Sequence, residues 1–449
     1  MEEENGELAK KENRHAEHFD KLSTSLVSAS ANIEAPYELP EGWKWEKISN
    51  LSDIYTGNSI NETVKKEKYT GIKEGLNFIG TKDVAFDGTI NYENGVKISD
   101  YENFKTVPAN TPLLCIEGGS AGKKLGITSE QVCFGNKLCA FVCKNVEPKL
   151  VYYYLQTNAF FYSFIKERHG LIGGVSVGTL KNISFPLPPT LAEQQRIVKR
   201  IETMFAKLDQ AQEKAQAVLD SFEPRKAAIL HKAFTGQLKI DNEELKIEDW
   251  EEKKLEDVLI EKPRNGYSTT AVDYETPYKT MSLSATTSGY FRPEFYKYIE
   301  ADISDDSFLW LKPGDILIQR ANSLDKVGTS AIYTGGEHEF IYPDLMMKLQ
   351  VKESVSNAFI VYQLKTEESL AYFRNNATGT AGNMPKINQK TVCNLPIKLP
   401  PLNYQLSIVN FLDTVLEKES RAKEAAGAVL DQIALLKKSI LARAFRGEL

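Results

Sequence analysis

Gly118-Gly119-Ser120-Ala121-Gly122-Lys123-Lys124 is the stretch that first suggests chemistry, because a glycine-rich turn ending in lysine can cradle the phosphates of a nucleotide. The glycine-to-lysine spacing does not fit that use, and Lys124 stands where a serine or threonine would hold magnesium. What remains is either a plain surface turn or a flexible one whose backbone donors, with Lys123 and Lys124, face the phosphates of a nucleic acid. Cys133, Cys139 and Cys143 are unevenly spaced, with only His169 moderately near, so they read as packing thiols rather than zinc ligands. His15 and His18 share a helical face without a partner of metal-site spacing, which gives no metal site. Amino-methyl transfer would call for an Asp, Asn or Ser before Pro-Pro-aromatic, whereas the Pro-Pro pairs here read Leu187-Pro188-Pro189-Thr190 and Leu399-Pro400-Pro401-Leu402. Pro343-Asp344 lacks the downstream Glu-x-Lys of a nuclease. No catalytic constellation emerges.

Three polar stretches have the composition of loops that read bases. Ile318 to Lys326 carries Arg320, Asn322 and Lys326 at the end of an expected strand, where arginine can pair bidentately with guanine and an amide with adenine. Arg374, Asn376, Thr378, Asn383 and Lys386 fall in a glycine-interrupted basic stretch. Arg168 to Ser176 occupies the matching place nearer the amino terminus.

That matching place exists because the chain is written twice. Ile197-Val198 returns as Ile408-Val409, Ala217-Val218-Leu219-Asp220 as Ala428-Val429-Leu430-Asp431, and Ala233-Phe234 with Gly236 as Ala444-Phe445 with Gly447. A constant offset over such distances marks an internal repeat. Each copy follows a Leu-Pro-Pro stop, since proline has no donor for a strand or helix interior. Read in heptads, the first helix offers Ile197, Ile201, Met204, Leu208, Ala211, Ala215 and Val218. The second offers Ile408, Leu412, Val415, Ala422, Ala426, Val429 and Ile433. These residues form the expected seam of two helices packed on each other, antiparallel, with alanines allowing close approach at the middle. Arg225 and Glu419 interrupt the seam, and Pro224 is expected to kink its helix without ending it. Gly236 and Gly447 supply the caps.

The expected fold class is therefore mixed α/β: two globular domains separated by two long helices in an antiparallel coiled coil, a pseudo-two-fold repeat. The boundaries fall at a polar arm or helix (1–38), domain one (39–186), a central helical region (187–238), a linker (239–246), domain two (247–396) and a C-terminal helical region (397–449).

The 449 residues are 42% hydrophobic, enough for two cores. A mean hydropathy of −0.35, with no long uncharged apolar run, excludes a membrane role. The polar start and the five cysteines fit a reducing cytoplasm. The net charge of −6 runs against a phosphate-gripping protein, although binding needs only a local basic face.

Trp43 through Asp53, Glu193-Gln194-Gln195-Arg196-Ile197-Val198 after Leu-Pro-Pro, and the endings Ala-Phe-Thr-Gly-Gln-Leu (233–238) and Ala-Phe-Arg-Gly-Glu-Leu (444–449) resemble the specificity subunits of type I restriction-modification enzymes. The second copy departs from the pattern, with Asn403-Tyr404-Gln405-Leu406 where Glu-Gln is usual. The resemblance implies two target-recognition domains, each reading half of a bipartite site on double-stranded DNA. It also implies helices that set the unread spacer and dock two methyltransferase subunits, with restriction subunits joining the complex. S-adenosylmethionine, ATP and magnesium would belong to those partners, and this chain would hold no cofactor, metal or catalytic residue. A coiled-coil scaffold for proteins and a self-sufficient DNA-modifying enzyme are the alternatives.

Overall fold

The computed structural model describes residues 37–166, 173–240, 243–244, 250–379 and 384–449. Most of the polar arm, His15, His18, Arg168, His169, Asn383 and half of the linker lie outside the described residues. The chain forms two compact units: Met1–Lys214 together with Val429–Leu449, and Ala215–Ala428.

In unit one, strand β1 (Lys44–Lys47) leads to β2 (Ser52–Thr56), β3 (Leu76–Ile79), β4 (Pro112–Cys115), β5 (Leu125–Ile127) and β6 (Leu138–Cys143). Helices α1 (Pro148–Tyr154), α2 (Asn158–Lys166) and α3 (Val177–Lys181) follow, then β7 (Ser184–Leu187) and the long α4 (Leu191–Asp220). In unit two, α5 (Phe222–Phe234) is followed by β8 (Glu251–Lys254), β9 (Arg264–Asn265), β10 (Tyr278–Met281), β11 (Ile316–Gln319), β12 (Ser330–Ile332) and β13 (Met346–Leu349). Then come α6 (Asn357–Leu364), α7 (Glu367–Asn375), α8 (Gln389–Cys393), β14 (Pro396–Leu399) and the 44-residue α9 (Leu402–Phe445).

The repeat is structural as well as textual. The four-stranded antiparallel sheet β2-β6-β4-β5 in unit one has the same order as β9-β13-β11-β12 in unit two. β1 pairs β7 (Lys44 opposite Leu187) just as β8 pairs β14 (Glu251 opposite Leu399). Short polar residues start the equivalent helices by accepting orphan backbone donors: Thr157 from Phe160 N and Thr366 from Ser369 N, Ser176 from Thr179 N and Asn388 from Thr391 N.

Each unit borrows the end of a helix to complete its core. Leu441, Ala444 and Phe445 of α9 join Ile48, Leu150, Tyr154, Phe185 and Ile201 in unit one. Leu230, Ala233 and Phe234 of α5 join Trp250, Leu255, Phe359, Ile408 and Leu412 in unit two. A buried glutamine at the start of each long helix fixes the neighbouring domain. Gln194 Oε1 accepts from Glu147 N at 2.9 Å and its amide donates to Pro188 O, while Gln405 Oε1 accepts from Ser356 N at 2.9 Å and donates to Pro400 O. The altered start Asn403 to Leu406 thus keeps the one residue whose amide both helices use.

Within each unit the long helices run antiparallel. In unit one Lys437 Nζ donates to Asp209 Oδ1 at 2.6 Å. In unit two Arg225 bonds Glu419 Oε2 at 2.8 Å and Lys423 faces Glu223 at 3.7 Å, so the two seam exceptions are each other's partners. Pro224 does not end the helical path: only Ser221 leaves the helix, and bonds from Ser221 N to Ala217 O and Arg225 N to Ser221 O carry across it.

The expected seam needs one correction. One heptad row is covered: Ile201, Ala215 and Phe222 are buried and Leu208 and Ile229 half-buried on one side, as are Leu412, Ala426 and Ile433 on the other. The second row begins buried at Ile197 and Ile408 and is half-covered at Met204, Ala211, Val218 and Val415, but Ala422 and Val429 are exposed, Val429 by 38%. A straight helix drifts about 20° per heptad against a strict seven-residue repeat. Over several heptads one row of a two-helix pair therefore turns into solvent, where Leu435 and Leu436 also stand. No helix among the described residues is long and apolar enough to cross a membrane.

Candidate nucleic-acid interface

In unit two the sheet edge at the end of β11 gathers two of the polar stretches. The β11–β12 hairpin, residues 320–329, is joined to residues 384–388: Asn322 N donates to Pro385 O (3.3 Å), and Ile387 N to Arg320 O (2.8 Å). Thr378 and Lys386 exchange both backbone bonds, at 2.8 and 2.9 Å. Lys326 and Lys386 are exposed at this end, with Asn322 and Arg320 half-buried between them. Lys326 pairs with its neighbour Asp325, at 3.4 Å. Arg320 Nη1 donates to Asp344 O at 3.1 Å, and its Nε is buried without a partner among the described residues. Asn322 is held on both sides, its amide nitrogen donating to Gln319 Oε1 at 2.6 Å and its oxygen accepting from Ser323 N at 2.8 Å. Arg374, in the last turn of α7, is paired to Glu367, and Asn376 caps the same helix by donating to Tyr372 O.

Unit one brings together the equivalent segments. The β4–β5 hairpin, residues 116–124, receives Val175 N on Ile116 O (3.0 Å), as the other hairpin receives Ile387 N on Arg320 O. Gly122 N donates to Cys115 O and Gly328 N to Gln319 O, both at 2.8 Å. Both glycines have positive φ (75° and 85°), and a Cβ on either would meet Phe164 at 2.8 Å or Phe373 at 2.4 Å. Only glycine suits a left-handed turn pressed against a ring. The glycine-lysine stretch, read from sequence as either a plain surface turn or a flexible one, is a hydrogen-bonded turn anchored on α2, with Ala121 N on Gly118 O and Lys123 N on Ser120 O. Lys124 is half-buried, its Nζ donating to Thr81 O at 3.3 Å and lying 4.9 Å from the Phe86 ring. Ser176 is engaged as the cap of α3. Arg168 lies outside the described residues.

These surfaces present cations, amides and hydroxyls, the groups that contact phosphates and base edges. The cysteines sit apart from them, in the cores: burial pushes Cys139 up to about 12 and Cys133 and Cys143 to about 11, so their thiols stay protonated. Gln319 falls in the stretch that composition marked for base reading, where an amide could meet adenine, but the structure buries it, and it joins the hairpin to the turn after β10. Sequence reasoning missed the β4–β5 and β11–β12 hairpins as a matched pair, because their lengths differ.

Comparison with known proteins decides the family. The family model described as the type I restriction modification DNA specificity domain matches twice, at residues 40–219 and 247–426. The chain belongs to this family. The specificity subunit of the type I restriction enzyme EcoKI from Escherichia coli K12 is 25% identical over 439 residues, covering 92% of this chain and 90% of that protein. The StySPI specificity subunit from Salmonella potsdam is 24% identical over 447 residues, with the same coverage. Among solved structures, a chain from work on assembly and conformational transition of the type I system aligns with a TM-score of 0.73 at 16% identity, covering 92% of this chain and all of its own. The HsdS subunit of Thermoanaerobacter tengcongensis aligns at 0.57 and 18% identity, covering 93% of this chain and all of that one. These two show the fold. The reading of the chain as a DNA-recognition subunit rests on the doubled family domain.

Proposed function

We propose that this chain is the non-catalytic, sequence-reading subunit of a cytoplasmic type I restriction-modification complex, each unit reading one half of a bipartite site on double-stranded DNA. The observation that carries this is the pair of equivalent hairpin ends, 116–124 and 320–329, each backed by the same sheet order and the same glycine-on-phenylalanine anchor. Lys123, Lys124, Arg168 and Ser176 serve one half-site. Arg320, Asn322, Lys326, Arg374, Asn376, Thr378, Asn383 and Lys386 serve the other. Phosphate contacts come from Lys123, Lys326 and Lys386, and base contacts from Arg320 and the amides.

The long helices act as ruler and dock. From Ile197 to Ile229 the rise is about 48 Å at ~1.5 Å per residue, on the order of one turn of DNA, about 34 to 36 Å. Val429 and Leu436, left in solvent by the drift of their heptad row, and the exposed Leu435 beside them offer apolar surface to methyltransferase subunits. Those subunits supply S-adenosylmethionine chemistry, and restriction subunits the use of ATP and magnesium.

Inserting one heptad within 211–222, with a matching heptad in 422–433 to keep the helices in register, is expected to lengthen the unread spacer while both half-sites keep their sequence. Mapping methylated adenines in a host with the complete complex checks this, and a changed half-site would contradict the ruler.

A further inference from the structure

In unit two, Gln319 is fully buried although it is polar. Its Nε2, with two hydrogens to give, lies within hydrogen-bond distance of three acceptors on one turn: Leu283 O (2.8 Å), Thr286 Oγ1 (2.9 Å) and Thr287 Oγ1 (3.0 Å). Its Oε1 holds Asn322 at 2.6 Å. One side chain therefore connects the reading hairpin to residues 283–287, and the segment that continues from them exposes Ser288 and Tyr290.

The corresponding position in unit one is Cys115, which cannot make this bridge. The bridge exists there nonetheless, made by a different residue. Lys124, on the β5 side of the equivalent hairpin, reaches Thr81 O. Thr81 opens the 3-10 turn after β3 as Leu283 opens the 3-10 turn after β10. Two unrelated side chains, one at either end of equivalent hairpins, thus reach equivalent backbone carbonyls, Thr81 O and Leu283 O, and the segment that follows carries an exposed aromatic in both units, Phe86 and Tyr290. A buried polar group is retained when its hydrogen bonds are satisfied, and such a bridge fixes the geometry of what it connects.

We propose that Lys124 and Gln319 are positioning residues, each locking the reading hairpin of its own unit to the neighbouring 3-10 turn and making that turn part of the surface that selects its half-site. This rests on the DNA-reading function proposed above. Neither residue need touch a base: a hairpin that swings by an ångström misplaces the groups that do.

The test uses the complete complex with its methyltransferase subunits, carrying Gln319→Leu or Lys124→Met, each of which keeps the volume and removes the donor. Thr286→Val with Thr287→Val breaks the bridge from the other side in case Gln319→Leu does not fold. The readout is the methylated motif, with thermal unfolding recorded alongside. The expected result is that Gln319→Leu or the threonine pair relaxes discrimination about tenfold or more in one half-site only, and Lys124→Met in the other half-site only. A variant that folds and methylates with both half-sites intact, or with both relaxed equally, overturns the proposal. Asn322→Ala separates the two levels: if it alters a half-site and Gln319→Leu does not, only the bridge is wrong, whereas if it too changes nothing, the placement of the reading surface fails.

Discussion

Replacing Phe445 with alanine is expected to cost unit one about 3 to 5 kcal/mol, the usual range for emptying a buried phenylalanine site, and to leave the stability of unit two unchanged. Phe445 is 1% exposed, its ring 5.3 Å from Tyr154 and 6.2 Å from Phe185. Neither Tyr154, tied by its hydroxyl to Ser184 O, nor Phe185, in β7, can move into the gap. A domain is marginally stable by only about 5 to 15 kcal/mol, so the loss consumes much of the reserve of unit one. Hydrogen exchange resolved by segment measures it: amides of β1, β7 and α1 should exchange faster, and those of β8, β14 and α6 should not. Uniform acceleration in both units would mean that the helix end does not serve the core it enters.

The second large effect lies in the sheet of unit two. Lys348 and Asp315 are buried, 7% and 3% exposed, 3.7 Å apart, with Asp315 also accepting from Lys312 N and Gln350 Nε2 and Lys348 donating to Phe308 O and Trp310 O. Asp315→Leu strands the ammonium, for which about 3 to 5 kcal/mol is the expected cost, while Asp315→Leu with Lys348→Met should recover most of it. Denaturant titration of the two variants checks the order. The pH dependence has a definite sign. Burial, outweighing the attraction of Asp315, holds Lys348 below the ordinary lysine value. Between its folded value and the ordinary 10.5 the unfolded chain carries more protons, so this group adds stability as pH rises through that interval. The slope should steepen in Asp315→Leu and vanish in the double variant.

Much of the architecture was legible because it is periodic. The repeat, the Leu-Pro-Pro stops, the two long helices and the continuation of the helix past Pro224 all follow from short-range rules that a chain states directly. The seam was half legible: heptad counting named Ala215 and Ala426 rightly but kept Ala422 and Val429, because spacing alone does not show how far a row drifts before solvent replaces its partner. The pairing of Arg225 with Glu419 was hidden for a related reason, since antiparallel register is set by where the helix ends dock, and docking depends on contacts between residues two hundred positions apart. The polar loops could be named from composition. Their joining through backbone bonds, and the different residues that bridge each hairpin to its turn, could not, because Lys124 and Gln319 share neither type nor position in the repeat.

On the proposed reading, two equivalent units of one chain read two separate stretches of a duplex. The most direct measurement is the map of methylated adenines in a host carrying the complete complex, compared with the map when Asn322→Ala and Lys326→Ala are introduced together. The expected map is a bipartite motif with an unread spacer, in which the paired substitution relaxes one half and leaves the other as it was. A single continuous motif, or a motif whose two halves change together, would contradict it.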